Sequence, residues 1–325
     1  MRGEFDLIRK YFYQRQKNRD DVHLGLGDDC AIVKAPHDAR LVISTDTLVE
    51  GTHFIAGTNP AWIAHKALAS NLSDLAAMGG TPAWCSLALT LPEVHEPWLQ
   101  SFSDAFFRLA DEYGIQLIGG DTTKGPLSIS ITVHGFVPEE IALTRAGAAV
   151  DDWVYVTGYL GDSKAGLELI LSELPNSELN KKVLEKRHYL SEPKVLAGQA
   201  LLGVASSAID ISDGLISDIR HILEASGVGI SIDVSQLPVS GELLEYLNDD
   251  LALTRQYALS SGEEYELCFT VPETKKYLLE GISAQSDTRF TCIGQVNSVN
   301  QIVLHDQGQP LSWTLSGYDH FKVNQ

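Results

Sequence analysis

PAWIAHKALASNLSDLAAM (60–78) runs on through AWCSLALTL (83–91), EPWLQSFSDAFFRLADEYG (96–114), IQLIGG (115–120) and LSISITVHGFV (127–137). The first segment opens on Pro60, stops at Gly79-Gly80 and is rich in Ala and Ser, which predicts a closely packed helix. A strand, a second helix and two further strands follow by the same reading. Helices and strands interleave and β segments adjoin at the end, so this half reads as an α/β (α+β) sheet covered by helices. Working back towards the N-terminus, LVISTDT (41–47) alternates as a strand ending in hydroxyls and a carboxylate. Phe5, Leu7, Ile8, Tyr11 and Phe12 recur at helical spacing.

Beyond residue 150 the pattern restarts. DDWVYVTG (151–158) reads as a strand, GYLGDSKAG (158–166) as a glycine turn and LELILSEL (167–174) as a helix. A polar helical stretch (179–190), the Pro193 break, a small-residue helix and AIDISDG (208–214) come next. VGISIDVSQLP (228–238) and YELCFTVP (265–272) are strands closed by proline. The restart falls at 145–152, which divides the chain into domains 1–148 and 149–325, each long enough to bury a core.

The 325 residues include 43 Asp and Glu against 24 Lys and Arg, a net charge of −19, with 44% hydrophobic residues. The apolar share excludes a disordered polyanion. The acidity argues against nucleic acid and anionic membrane surfaces as partners, and favours divalent cations. Cys30, Cys85, Cys268 and Cys292 are scattered without a CxxC pair, so neither a zinc knuckle nor a disulfide framework is expected, and core thiols in a reducing cytosol fit best. MRGEFDLIRKYF at the start is charged rather than a signal peptide, and no apolar run approaches the roughly 20 residues of a membrane span. A cytoplasmic location is expected.

The acids concentrate where elements end. Asp28-Asp29 follow Gly-Leu-Gly, Asp46 ends a strand, Asp74 lies in the small-residue helix, Asp121 follows IGG, and Asp210 and Asp213 flank the IDISDG turn. Their apolar surroundings imply partial burial, which raises carboxyl pKa values unless a cation neutralises them. Oxygen donors of this kind select Mg²⁺ or Ca²⁺ over Zn²⁺. Taken singly, each Asp is better explained as a helix cap or turn closer; as a set they point to metal. No EF-hand loop is present.

No Walker loop, kinase HRD or DFG set, GxSxG or HExxH occurs. GGDTTKG (119–125) and GYLGDSKAG are the phosphate candidates, and a linking turn explains either equally well. Among ten histidines, His53 stands out for sharing TDTLVEGTHF with Asp46, although a lone His is more often a structural donor.

Eight motifs in order carry a resemblance. GDDCA (27–31), STDTLVEGTHF (44–54), NLSDLAAMG (71–79), LIGGDTT (117–123), TRAGA (144–148), IDISDGL (209–215), SGEEYELC (261–268) and GYDHF (317–321) resemble bacterial thiamine-monophosphate kinases, from GEF (3–5) to the C-terminus. That family is grouped with aminoimidazole-ribonucleotide synthetase, selenophosphate synthetase and a hydrogenase-maturation protein. The resemblance implies an N-terminal α/β domain that dimerises through its sheet, a C-terminal α+β domain, and an ATP site between the N-terminal domains and the acidic loops. It assigns metal ligation to Asp29, Ser44, Thr45, Asp46, Asp74, Asp121, Asp210 and Asp213. ATP contacts fall on Gly120, Asp121, Arg145 and Ser212, and thiamine monophosphate contacts on His53, Glu263 and Tyr318. Asp46, Asp121 and Asp210 become the central catalytic acids, several Mg²⁺ ions the cofactors and a homodimer the assembly. The stretches 172–186 and 273–288 carry no site in this reading.

Phosphorylation of a phosphate needs no general base, since that nucleophile is ionised near neutral pH, its second pKa being about 6. The obstacle is repulsion between anions, about 4 kcal/mol for unit charges ~4 Å apart at an effective dielectric of ~20. Two other readings compete. Another ATP-using member of the superfamily is one, although residues 1–27 lack the Cys that selenophosphate synthesis requires. The other is a non-catalytic, acidic, cation-binding protein, which Arg145 and the phosphate-compatible loops disfavour.

Overall fold

The computed structural model describes residues 4–15, 17–172, 178–313 and 317–318. Gly3, residues 173–174 of the expected helix and residues 319–321 of GYDHF lie outside them. The chain divides into two compact units, Met1–Leu75 with Gly80–Glu140, and Ala76–Gly79 with Ile141–Gln325.

The first unit opens with α1 (Glu4–Ile8), prolonged by a wider π turn over Arg9–Tyr13. Leu7, Tyr11 and Phe12 are buried, as the helical spacing predicts. β1 (Val22–Leu24) and β2 (Ile32–Val33) form a short antiparallel ribbon. Then come β3 (Ala39–Val49), α2 (Pro60–Ala77), β4 (Thr81–Leu91), α3 (Glu96–Glu112), β5 (Gln116–Lys124) and β6 (Ser128–Pro138). The sheet order is β3-β6-β4-β5. β5 and β6 adjoin in sequence yet do not pair: β6 inserts antiparallel between β3 and β4, and β5 lies parallel to β4 on the far edge. Pairing β6 with both β3 and β4 fully buries Ile129, Ile131 and Val133, which a hairpin at the sheet margin would leave half exposed.

α2 is buried almost all round, with Ala64, Leu68, Ala69 and Leu72 wholly enclosed, so its Ala-Ser composition reflects close packing rather than an amphipathic stripe. α3 is amphipathic. His95 caps it, with Nδ1 accepting from Trp98 N at 3.2 Å, and Leu99, Phe102, Phe106 and Leu109 face inward.

The second unit contains β7 (Trp153–Thr157), α4 (Asp162–Ser172), α5 (Glu178–Tyr189), α6 (Val195–Ala200), β8 (Ser207–Asp210) and α7 (Leu215–Ser226). It continues with β9 (Gly229–Asp233), α8 (Gly241–Tyr246), α9 (Leu251–Ser260), β10 (Leu267–Val271) and α10 (Leu279–Gln285). β11 (Phe290–Asn297), β12 (Ile302–Asp306) and β13 (Gln309–Leu311) complete a mixed sheet of order β13-β12-β9-β11-β7-β10-β8. Its core joins Val154, Val156, Ile209, Ile219, Ile230, Ile232 and Ile293. Burying each such side chain contributes roughly 1.5–3 kcal/mol. All four cysteines are free, and burial pushes the Cys85 and Cys268 thiols well up, in keeping with core roles. Cys30 departs from that expectation and is exposed.

Candidate active site

In the first unit the register of β3 sends alternate side chains to opposite faces. Asp46 lies opposite Ile131, while Thr45 and Thr47 lie opposite Thr132 and Ser130. Ser44 donates its hydroxyl to an Asp74 carboxylate oxygen, which ties β3 to α2 two residues from Asp46. Burial raises the Asp46 carboxyl pKa above its ordinary value, while the Ser70 hydroxyl pulls it back. His53 Nδ1 accepts from Val49 N at 3.0 Å, which leaves Nε2 as the protonated nitrogen. Buried Lys66 donates to the His53 carbonyl at 3.0 Å and secures the loop. Ser44, Asp46, Asp74 and His53 thus form one constellation.

Three other expected ligands stand apart from it. The Thr45 hydroxyl meets Thr132 Oγ1 at 2.8 Å on the opposite face. Asp29 is exposed, with its N–H turned to Asp28 Oδ1 at 2.8 Å. Asp121 stands in line with Ala88 on β5, the edge opposite β3, about 14 Å away at three strand spacings. Gly120 before it has φ +148°, and a Cβ there would fall 1.9 Å from the Leu87 carbonyl oxygen, so only glycine lets β5 lie so close to β4. A separate cavity of about 590 Å³, lined by Glu50, Ile63, Leu91, His95 and Trp98 among others, includes none of the expected site residues.

In the second unit the expected residues converge. Asp210 ends β8, buried and opposite Leu267. The Glu263 N–H donates to the Ser212 carbonyl at 2.7 Å, and Tyr318 N–H to the Asp213 carbonyl at 3.0 Å. Glu263 and Tyr265 hold left-handed backbone, φ +58° and +54°, a strained conformation for non-glycine residues that a fixed loop must maintain. Arg145 is exposed, on a loop whose Thr144 carbonyl accepts from Ala208 N at 2.9 Å, two residues before Asp210.

Sequence reading missed Asp218. Its Oδ2 accepts from Ser212 N, Asp213 N and Gly214 N, each at 3.0 Å, and so shapes the acidic loop. Burial and the Asp213 charge push its carboxyl up to about 7 against those three donors. The available signal was an acid in the first turn of a helix that follows a Gly turn. Also missed were buried Glu264, which accepts from Gly161 N at 2.8 Å, and Glu266, which accepts the Thr157 hydroxyl and pairs with Lys194 at 3.5 Å.

For a hard cation the donor chemistry fits: carboxylates and hydroxyls, partly shielded from water. Among the described residues no group of three or more His, Cys, Asp or Glu gathers closely enough to hold a metal alone.

Residues 27–137 match the AIR synthase related protein N-terminal domain and 149–307 the C-terminal domain of the same class. The chain is therefore an AIR synthase related protein. It is 51% identical over 321 residues to the thiamine-monophosphate kinase of Salmonella typhimurium, covering 98% of each. The crystal structure of the thiamine-monophosphate kinase from Stenotrophomonas maltophilia K279a matches with a TM-score of 0.86 at 40% identity, over 95% of this chain and 98% of that one. A structure of "AaThiL complexed with AMPPCP and TMP" matches at 0.79 and 32% identity, over 99% of each. The chain belongs to the thiamine-monophosphate kinase family. Among the described residues no helix is long and apolar enough to cross a membrane.

Proposed function

We propose that the protein transfers the γ-phosphoryl group of ATP to thiamine monophosphate, giving thiamine diphosphate and ADP. The observation that carries this reading is the pairing of full-length 51% identity with two ordered constellations, Ser44–Asp46–His53–Asp74 and Ser212–Asp213–Glu263–Tyr318. Asp46, Asp121 and Asp210 are the central acids in this proposal. Asp29, Ser44, Thr45, Asp74 and Asp213 join them as Mg²⁺ ligands, Thr45 through its main chain because its hydroxyl meets Thr132. Bound Mg²⁺ supplies charge that offsets repulsion between the two phosphates and orients them.

The remaining work belongs to the chain. Gly120 exposes main chain beside Asp121 for the nucleotide, Arg145 adds a fixed positive charge on its phosphates, and Ser212 adds a contact from the clasped loop. His53 directs its Nε2–H to the acceptor phosphate. Glu263 accepts from the cationic thiamine end, and Tyr318 offers a flat apolar face with a polar tip. No side chain need remove a proton.

The protein acts in the cytoplasm in this reading, and as a homodimer built on the first sheet. Leu41 and Ile43 on edge strand β3 are 45% and 57% exposed, which suits an interface. Incubation with ATP, Mg²⁺ and thiamine monophosphate should yield thiamine diphosphate by chromatography, none from free thiamine and none with EDTA. Absence of product from the monophosphate would sink the proposal.

A further inference from the structure

We propose that His188, held by Ser163, is the positioning residue that fixes Glu263 for the thiamine end of the acceptor; this rests on the assignment of Glu263 above. His188 is 1% exposed in the last turn of α5, with Nε2 3.6 Å from Glu263 Oε2. Its Nδ1 lies 3.0 Å from the Ser163 hydroxyl in the first turn of α4. A hydroxyl donating to Nδ1 leaves the proton on Nε2, facing the carboxylate. Ser163 is itself fixed, since it is 1% exposed and its N–H donates to Glu264 Oε1 at 3.3 Å. Glu264 and Glu263 are consecutive, so the line from α4 through His188 returns to the loop from which it starts.

Three features indicate that this closed circuit has a purpose beyond packing. Glu263 holds left-handed backbone, so its side chain leaves the loop in a direction that an ordinary turn would not give. Helix α5 reaches this depth only because α4 carries Gly166, where a Cβ would fall 2.2 Å from the Leu184 carbonyl oxygen and 3.1 Å from His188 Cβ. The Tyr189 ring meets the imidazole edge-on at 4.8 Å and 78°, which limits its rotation. A carboxylate steadied in this way meets a cationic ligand already oriented, and less side-chain freedom is lost on binding.

The experiment measures both Michaelis constants, kcat and thermal midpoints for His188→Leu, His188→Gln, Ser163→Ala, Glu263→Gln and the double variant His188→Leu/Glu263→Gln. Glu263→Gln should raise the KM for thiamine monophosphate more than tenfold. His188→Leu should raise it about five- to tenfold, with the ATP KM and kcat within twofold. His188→Gln, which can present an N–H near the Nε2 position, should recover most of that loss. The double variant should match Glu263→Gln alone.

A His188→Leu effect that persists undiminished beside Glu263→Gln would overturn the proposal, as would an equal rise in both Michaelis constants or no change. If His188→Leu does not fold, Ser163→Ala and His188→Gln decide. Two- to threefold acceptor-specific weakening in Ser163→Ala, with near wild-type behaviour in His188→Gln, supports the assignment; an unchanged acceptor KM in Ser163→Ala refutes it. An unchanged acceptor KM in Glu263→Gln shows instead that the underlying placement of the acceptor is wrong.

Discussion

Asp46 combines a carboxylate with burial that opposes its ionisation. Replacing it by Asn keeps the volume and removes the charge, so Asp46→Asn should lose at least a hundredfold in turnover at limiting Mg²⁺ while its circular-dichroism melt stays within a few degrees. Glu264 gives a pH prediction. Its folded-state pKa lies well above the ordinary 4.5, first through burial and then through the Asp162 charge. The folded chain therefore keeps a proton that the unfolded chain has released. This contribution to stability is greatest at and below the unfolded value and falls as pH rises through the folded one. Glu264→Gln retains an acceptor for the Gly161 N–H and should flatten that decline in urea titrations at pH 5 and pH 8, with the variant the more stable at pH 8. Site acids were legible as residue types beside Gly, Ser and Thr. Glu264 and Asp218 were not: Asp218 offered only its place in the first turn of a helix after a Gly turn, and the main-chain N–H partners of both are set by the fold.

Among the elements, the acidic loop before α7 depends on one side chain. Asp218→Ala leaves three N–H groups without their acceptor and should cost about 2–4 kcal/mol in chemical denaturation. Asp218→Asn keeps an acceptor oxygen and should cost under about 1 kcal/mol. Gly120→Ala combines strained backbone with a contact against the Leu87 carbonyl, and a loss of about 3–5 kcal/mol is expected by the same measurement. Strands and helices were legible from periodicity: the helix read over 60–78 is α2, and the strand read over 41–47 is the centre of β3. Register was not. Nothing in LSISITVHGFV says that it pairs on both sides, because period-two alternation fixes faces but not neighbours.

For the whole molecule, a strand-turn-helix restart near residue 150 was visible in the sequence, although the second compact unit takes in the chain from Ile141 onward. The transfer of Ala76–Gly79 to the second unit was not, since nothing local marks it. If two copies associate through the first sheet, Leu41→Lys with Ile43→Lys should halve the mass found by light scattering while each chain stays folded. The central place of β6 has a consequence for synthesis on the ribosome. Thr45 and Thr132 are 87 residues apart, and among the described residues β6 is the one strand that pairs with β3 in its sheet. Until residues 128–138 emerge, β3 and one side of β4 remain open to other nascent chains. A chain halted before Ser128 should therefore be held by chaperones or degraded, and the first unit completes its sheet only when its last strand is made.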